Sequence, residues 1–167
     1  SLRDAMLVIS GLLNRERGGA GFRDVTLHNN NGTTYYFPFD KEGDPNLNRR
    51  TIYRFSPRGR RSTILEAFDC PDPSTTAPSR SVTTTPLQAL ALLNNDFALR
   101  MARGLARRVK DETGNDLRRQ VERSFELAYG RNTAEKELRL AVEFATEHGM
   151  AALGRVLLNS NEFVVLD

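Results

Sequence analysis

The feature that most constrains this fold is the capped start of a helix at Thr85-Pro86-Leu87-Gln88, with helical periodicity after it. A threonine followed three residues later by glutamine forms a capping box, and proline is favoured at the first helical position. A second start at Asn95-Asp96 precedes a run whose apolar residues share one helical face (Ala98, Met101, Ala102, Leu105 and Val109). The pattern predicts a series of amphipathic helices joined by short loops, as in an antiparallel helical bundle.

Three further helices are predicted after residue 113. The first follows Asp116 and ends at Gly130, and the second is capped by Asn132 or Thr133 and ends at Gly149. A short last helix is predicted to hold Met150, Leu153, Val156 and Leu157 and to end near Asn159. Residues 85–167 are therefore predicted to form the bundle.

The N-terminal half is predicted to contain a helix and a hairpin. Leu2, Ala5, Met6, Ile9, Leu12 and Leu13 have helical spacing, whereas Arg3 and Asp4 fall on the other side, which predicts a helix over 1–17. Asn31-Gly32, between segments rich in β-branched and aromatic residues, is a strong signal for a tight turn, so 22–39 is predicted as a two-stranded hairpin. The fold class is accordingly mainly α, with a small β-hairpin and a long irregular segment.

The irregular segment, 40–84, is rich in proline and arginine. Seven arginines face three acidic residues between Arg49 and Arg80, which accounts for more than the chain's whole net charge of +3. A structureless connection of this length is uncommon in a compact domain, so it is either functional or held against the helices. Its predicted binding surface comprises Tyr53, Arg54, Arg58, Arg60 and Arg61.

Catalytic and metal sites have weaker candidates. Glu66, Asp69 and Asp72 surround a proline-constrained turn and could act as acidic catalytic residues, although internal pairing with arginine explains them better. Asp40, Glu42 and Asp44 alternate like calcium ligands, but the distal glutamate of a calcium-binding loop is missing and a plain acidic turn is favoured. The single cysteine, Cys70, excludes an internal disulfide and is predicted to be an inert thiol.

Composition narrows the classes of function. The small net charge does not favour nucleic-acid binding, and no apolar run approaches the ~20 residues that span a bilayer. We expect one domain over 1–167, cut from the C-terminal end of a longer chain, because the first residues already show helical periodicity.

Several motifs together resemble a known family. They are Arg50-Thr51-Ile52-Tyr53, Leu65 to Asp72, Arg80 to Leu90, Leu92-Leu93-Asn94-Asn95 and Leu157 to Phe163. The chain resembles the C-terminal domain of unknown function of large planctomycete-type proteins, in which this domain follows a cytochrome c-like domain and a second uncharacterised domain.

The resemblance implies a module of an exported or envelope-associated protein, and it supplies no established activity. It places haem only in the upstream domain, so no cofactor is expected in this chain.

Three functions remain open from the sequence. The first is a non-catalytic module that binds its own upstream domains or an envelope protein through the segment from Tyr53 to Pro78. The second is an enzyme, of hydrolase type, that takes part in polysaccharide breakdown. The third is binding of a polyanion by the arginines.

Overall fold

The computed structural model describes residues 2–38, 44–56, 65, 67–68 and 86–164. It confirms a mainly α fold with a small antiparallel hairpin. The helices are α1 (Leu2–Ile9), α2 (Pro86–Asn94), α3 (Asp96–Thr113), α4 (Leu117–Tyr129), α5 (Glu135–His148), α6 (Met150–Leu158) and α7 (Asn161–Val164). The strands are β1 (Val25–Asn30) and β2 (Thr33–Pro38), and two 3-10 helices span Pro45–Asn48 and Thr51–Tyr53.

Helix α3 lies at the centre of the bundle. It packs against α1, α2, α4 and α6, while α5 packs against α4 and α6. The close approach of α3 and α6 depends on Gly154, because a Cβ there would lie only 3.1 Å from the carbonyl oxygen of Ala102. The predicted inner face of α3, which holds Ala98, Met101, Ala102, Leu105 and Val109, is buried throughout.

Two apolar clusters form the core. The first joins α1, α2, α3, α6 and α7 through residues that include Met6, Leu7, Leu92, Met101, Leu158 and Phe163. The second joins α4, α5 and α6 through residues that include Val121, Phe125, Leu138, Leu153 and Leu157. Tyr129 packs against both clusters. Leu65 and Phe68 pack against the first and belong to the middle segment, which is the predicted irregular stretch 40–84.

The predicted helix over 1–17 is too long, since α1 ends at Ile9. Gly11 follows with a positive φ of 73°, which a helix does not allow. Arg108 of α3 then caps the end of α1 by donating to the carbonyl oxygens of Val8 and Ile9, each at 3.0 Å. The periodicity of the first residues cannot reveal a contact with a residue about a hundred positions away.

One detail of the predicted bundle is also wrong. Helix α5 is preceded by Ala134 and not by Asn132 or Thr133, and the backbone N–H of Ala134 donates to the carboxylate of Glu137. In the last predicted helix, Val156 is 50% exposed, whereas Leu153 and Leu157 are buried. The hairpin is as predicted, because Asn31 and Gly32 both take positive φ (47° and 80°) at the turn that joins β1 to β2.

Candidate interaction surface

The segment 44–56 is held against α1 by a buried arginine. Arg3 is only 6% exposed, and its guanidinium donates to the carbonyl oxygens of Arg49 at 2.9 Å and Leu47 at 2.5 Å. The group also lies 5.2 Å from the ring centroids of both Phe22 and Phe97. Burial lowers the pKa of Arg3 to about 10, so the side chain stays charged at neutral pH. Arg3, predicted on the side of α1 away from the apolar stripe, is therefore buried under the segment 44–56.

Asp4, the next residue of α1, binds the same segment. Its Oδ1 accepts hydrogen bonds from both the backbone N–H and the hydroxyl of Thr51, each at 2.7 Å. Arg3 therefore binds backbone carbonyl oxygens of the segment, and Asp4 binds an N–H group and a hydroxyl group. Together they fix the second 3-10 helix on α1.

Arg49 makes a second buried contact, with the glycine-rich loop 18–21. Its Nη1 donates to the carbonyl oxygen of Ala20 at 2.7 Å, its Nη2 donates to that of Gly18, and the guanidinium lies 4.4 Å from the ring centroid of Tyr53. The hydroxyl oxygen of Tyr53 accepts from the Gly18 N–H at 3.0 Å. Gly21 must be glycine here, because a Cβ would lie 2.7 Å from the Tyr53 carbonyl oxygen.

Two of the predicted binding residues thus make internal contacts. Tyr53 binds the glycine-rich loop through its hydroxyl oxygen. Arg54 forms an ion pair with Asp24 at 2.7 Å, and only 6% of its side chain is exposed. Arg58, Arg60 and Arg61, the other three, lie outside the described residues. Their part of the predicted surface stays a prediction.

Most of the acidic residues predicted as catalytic or metal-binding candidates also lie outside the described residues. Asp44 lies before the first 3-10 helix, where its side chain accepts from the Asn46 N–H at 2.9 Å, which is a capping role. Asp40, Glu42, Glu66, Asp69, Asp72 and Cys70 are not among the described residues. Within the described ranges, no group of three or more His, Cys, Asp or Glu side chains is placed to hold a metal ion.

Ile52 is a large apolar side chain on the outside of the described stretch 44–56, where Arg50 and Ser56 are exposed as well. It is 77% exposed, between Thr51 and Tyr53, which both bind inward. The segment therefore offers an apolar residue to solvent on a backbone that several hydrogen bonds fix in place.

A cleft of about 520 Å³ lies between the chain that follows α1 and the C-terminal half of α3. Val8, Leu12 and Leu13 supply apolar lining, and Arg15 and Arg107 are exposed at it. Arg108 and Glu112, also in the lining, pair with each other at 2.6 Å, and Glu112 further pairs with Arg123 at 2.7 Å. These hydrogen bonds lower the pKa of Glu112, so the carboxylate is a structural partner rather than a proton donor near neutral pH.

Arg131, which follows the C-terminal end of α4, links this helix to two others. Its guanidinium binds both carboxylate oxygens of Glu137, each at 2.9 Å, and also pairs with Glu162 at 2.6 Å. The same group lies 5.6 Å from the ring centroid of Tyr129. This contact ties the end of α4 to the starts of α5 and α7. Its polar partners are far apart in sequence, so no local signal identified it.

The Arg131 contact predicts a dependence of stability on pH. Hydrogen bonds from Arg131 and the Ala134 N–H lower the pKa of Glu137 from 4.5 to about 2. The unfolded chain takes up this proton near the higher value and the folded chain only near the lower one, so the stabilisation is present above about pH 4.5 and is lost as pH falls toward about 2. We expect the thermal midpoint to decrease over that interval, and to decrease less steeply in Glu137→Gln.

The matched control is Glu143→Gln. Glu143 is exposed and has no ion pair within the described part of the chain, so this variant should keep the steep wild-type profile. Thermal unfolding followed by circular dichroism from pH 2 to 7 measures all three proteins. Identical profiles for wild type and Glu137→Gln would contradict the assignment.

The comparisons with known proteins identify the family of the chain but no specific function. The family model described as PSD1, protein of unknown function (DUF1553), matches residues 1–145, and the chain belongs to this family. Neither the comparison with curated proteins nor that with solved structures found a significant match. The match extends over α1, the hairpin and most of the bundle, but stops before α6 and α7. Among the described residues, no helix is both long and apolar enough to cross a membrane.

Proposed function

We propose that this domain is a non-catalytic interaction module that binds other domains of its own polypeptide, or an envelope protein, through the outer surface of the middle segment. The observation that carries the proposal is Ile52, which is 77% exposed on a backbone held by Asp4 and Arg3. A backbone that is already ordered loses less entropy on binding, which is how well-ordered binding surfaces gain affinity. The larger protein is, on the resemblance, an exported or envelope-associated chain with a cytochrome c-like domain upstream.

The charges support a protein partner. Arg3, Arg49 and Arg54 make internal contacts with carbonyl oxygens, aromatic rings and a carboxylate, and these contacts hold the surface in shape. Arg58, Arg60 and Arg61 follow shortly after Ile52 in the sequence, so this stretch of the chain combines an apolar residue with several arginines. Arginine is enriched in protein interfaces.

The test measures association of this domain with the upstream part of the same polypeptide. We expect Ile52→Ser to weaken binding about tenfold or more, because about 1.5–3 kcal/mol is gained when such a side chain is buried. The triple variant with alanine at Arg58, Arg60 and Arg61 should weaken it further. Leu140→Ser, which removes a side chain 54% exposed on α5, is the matched control and should bind like wild type.

Unchanged association in both Ile52→Ser and the triple variant would refute the proposal. The two alternatives have their own readouts. Activity lost on changing Glu66, Asp69 or Asp72 would favour the enzyme, and salt-sensitive binding to an anionic polymer would favour a polyanion ligand.

A further inference from the structure

One face of the hairpin is exposed along its whole length. The register pairs Thr26 with Phe37, His28 with Tyr35 and Asn30 with Thr33, which places these six side chains on the same face. All six are exposed, and Tyr35 and Phe37 have exposures of 49% and 54%. The other face is buried only at its start, where Val25 is 8% exposed, whereas Leu27 on the same face is 42% exposed. Below, the six residues are called the ribbon face.

The ribbon face is divided into two rows. Tyr35 and Phe37 form an aromatic row on β2, separated by about 7 Å along the strand. Thr26, His28 and Asn30 form a parallel row of hydrogen-bonding side chains on β1. His28 meets the Phe37 ring edge-on, with ring centroids 6.4 Å apart, which helps to fix the aromatic row.

The ribbon face also lacks lysine, arginine and carboxylate side chains. Residues 25–38 contain no Asp, Glu, Lys or Arg, whereas such residues make up 27% of the chain. A nucleic acid would bring phosphates that no cation of the ribbon could neutralise. The aromatic row and the hydrogen-bonding row together favour an uncharged ligand with one apolar surface and one edge of hydroxyl groups.

We propose that the ribbon face binds a neutral polysaccharide. The C–H surfaces of consecutive sugar rings stack on Tyr35 and Phe37, and the ring hydroxyls exchange hydrogen bonds with Thr26, His28 and Asn30. The amphipathic sugar ring matches the two rows, and the length of the aromatic row accommodates a chain rather than a single sugar. This site is separate from the Ile52 surface and does not depend on it.

Affinity electrophoresis of the 167-residue chain tests the proposal. The gels contain glucomannan, xyloglucan, galactomannan or arabinoxylan as neutral probes, and polygalacturonate as the charged comparison. We expect retardation by at least one neutral probe and none by polygalacturonate. Tyr35→Thr and Phe37→Thr should each weaken the retardation about tenfold, because each removes an aromatic surface worth roughly 1.5 kcal/mol.

The variants are chosen so that the hairpin survives, since threonine has high strand propensity. Leu27→Thr, on the opposite face and 42% exposed, is the matched control and should be retarded like wild type. No retardation by any of the four neutral probes would overturn the proposal, as would retardation that the double Tyr35→Thr, Phe37→Thr variant retains. Light scattering adds a further check: a dimer that the double variant abolishes would assign the ribbon face to a second copy of the chain and overturn polysaccharide binding.

Discussion

Replacing Arg3 with alanine should lower the free energy of unfolding by about 2–4 kcal/mol. The substitution leaves the buried carbonyl oxygens of Leu47 and Arg49 without a donor, and an unsatisfied buried polar group costs about 1–3 kcal/mol. It also removes the packing of the guanidinium against Phe22 and Phe97. Chemical denaturation measures the change from the midpoint and slope.

The control for this variant is Arg139→Ala on α5. Arg139 is exposed and has no ion-pair partner within the described residues, so its replacement should change the free energy of unfolding by less than about 0.5 kcal/mol. Equal effects of the two substitutions would mean that Arg3 does not hold the middle segment on α1.

A second large effect is expected at Leu158, at the end of α6. This side chain is 2% exposed and packs in the first core cluster with Met6, Leu7 and Met101, so Leu158→Ala should cost about 2–5 kcal/mol. Leu158 lies beyond residue 145, where the family match ends. The free energy of unfolding of Leu158→Ala therefore tests whether α6 belongs to the same cooperative unit as α1 and α3.

Val156→Ala is the matched control, two positions away on the same helix. Because Val156 is 50% exposed, its loss should cost less than about 0.5 kcal/mol. Thermal and urea unfolding of both variants provide the comparison. A loss below 1 kcal/mol for Leu158→Ala would show that the helix packs loosely on the rest of the domain.

The parts of the fold that local chemistry controls could be predicted from the sequence. Asn95 caps α3 by accepting from the Phe97 N–H, Gly130 ends α4 in a left-handed conformation, and Asn31-Gly32 turns the hairpin. Each of these signals acts over a few residues, so the local residues are enough to reveal it.

The parts that depend on distant partners could not be predicted. Arg3 falls on the polar side by composition, but the turn that it fills is contributed by residues more than forty positions away. The end of α1 is determined by Arg108 in the same manner. The sequence did hold one signal for the burial of Arg3. Met6 and Leu7 follow it by three and four residues, a spacing that places Arg3 beside the buried stripe of the helix.

The candidate surface was only partly accessible to sequence reasoning. The middle segment was identified by its composition, yet Tyr53 and Arg54 point inward while Ile52 points outward. In a 3-10 helix of three residues no periodicity distinguishes these orientations. Only the contacts of α1 and the glycine loop determine which side chain is left exposed.

Hydrogen exchange at individual amides tests the central claim, that the middle segment is fixed on the helical body, most directly. The Thr51 N–H donates to Asp4, and the N–H groups of Phe22 and Phe55 bind the carbonyl oxygens of Tyr53 and Phe22 at 2.9 and 2.8 Å. We predict that these three amides exchange as slowly as those of α1 in the wild type, and that Arg3→Ala makes Thr51 exchange faster while the amides of α4 and α5 stay protected. Exchange of Thr51, Phe22 and Phe55 at the rate of an unstructured chain in the wild type would contradict the claim.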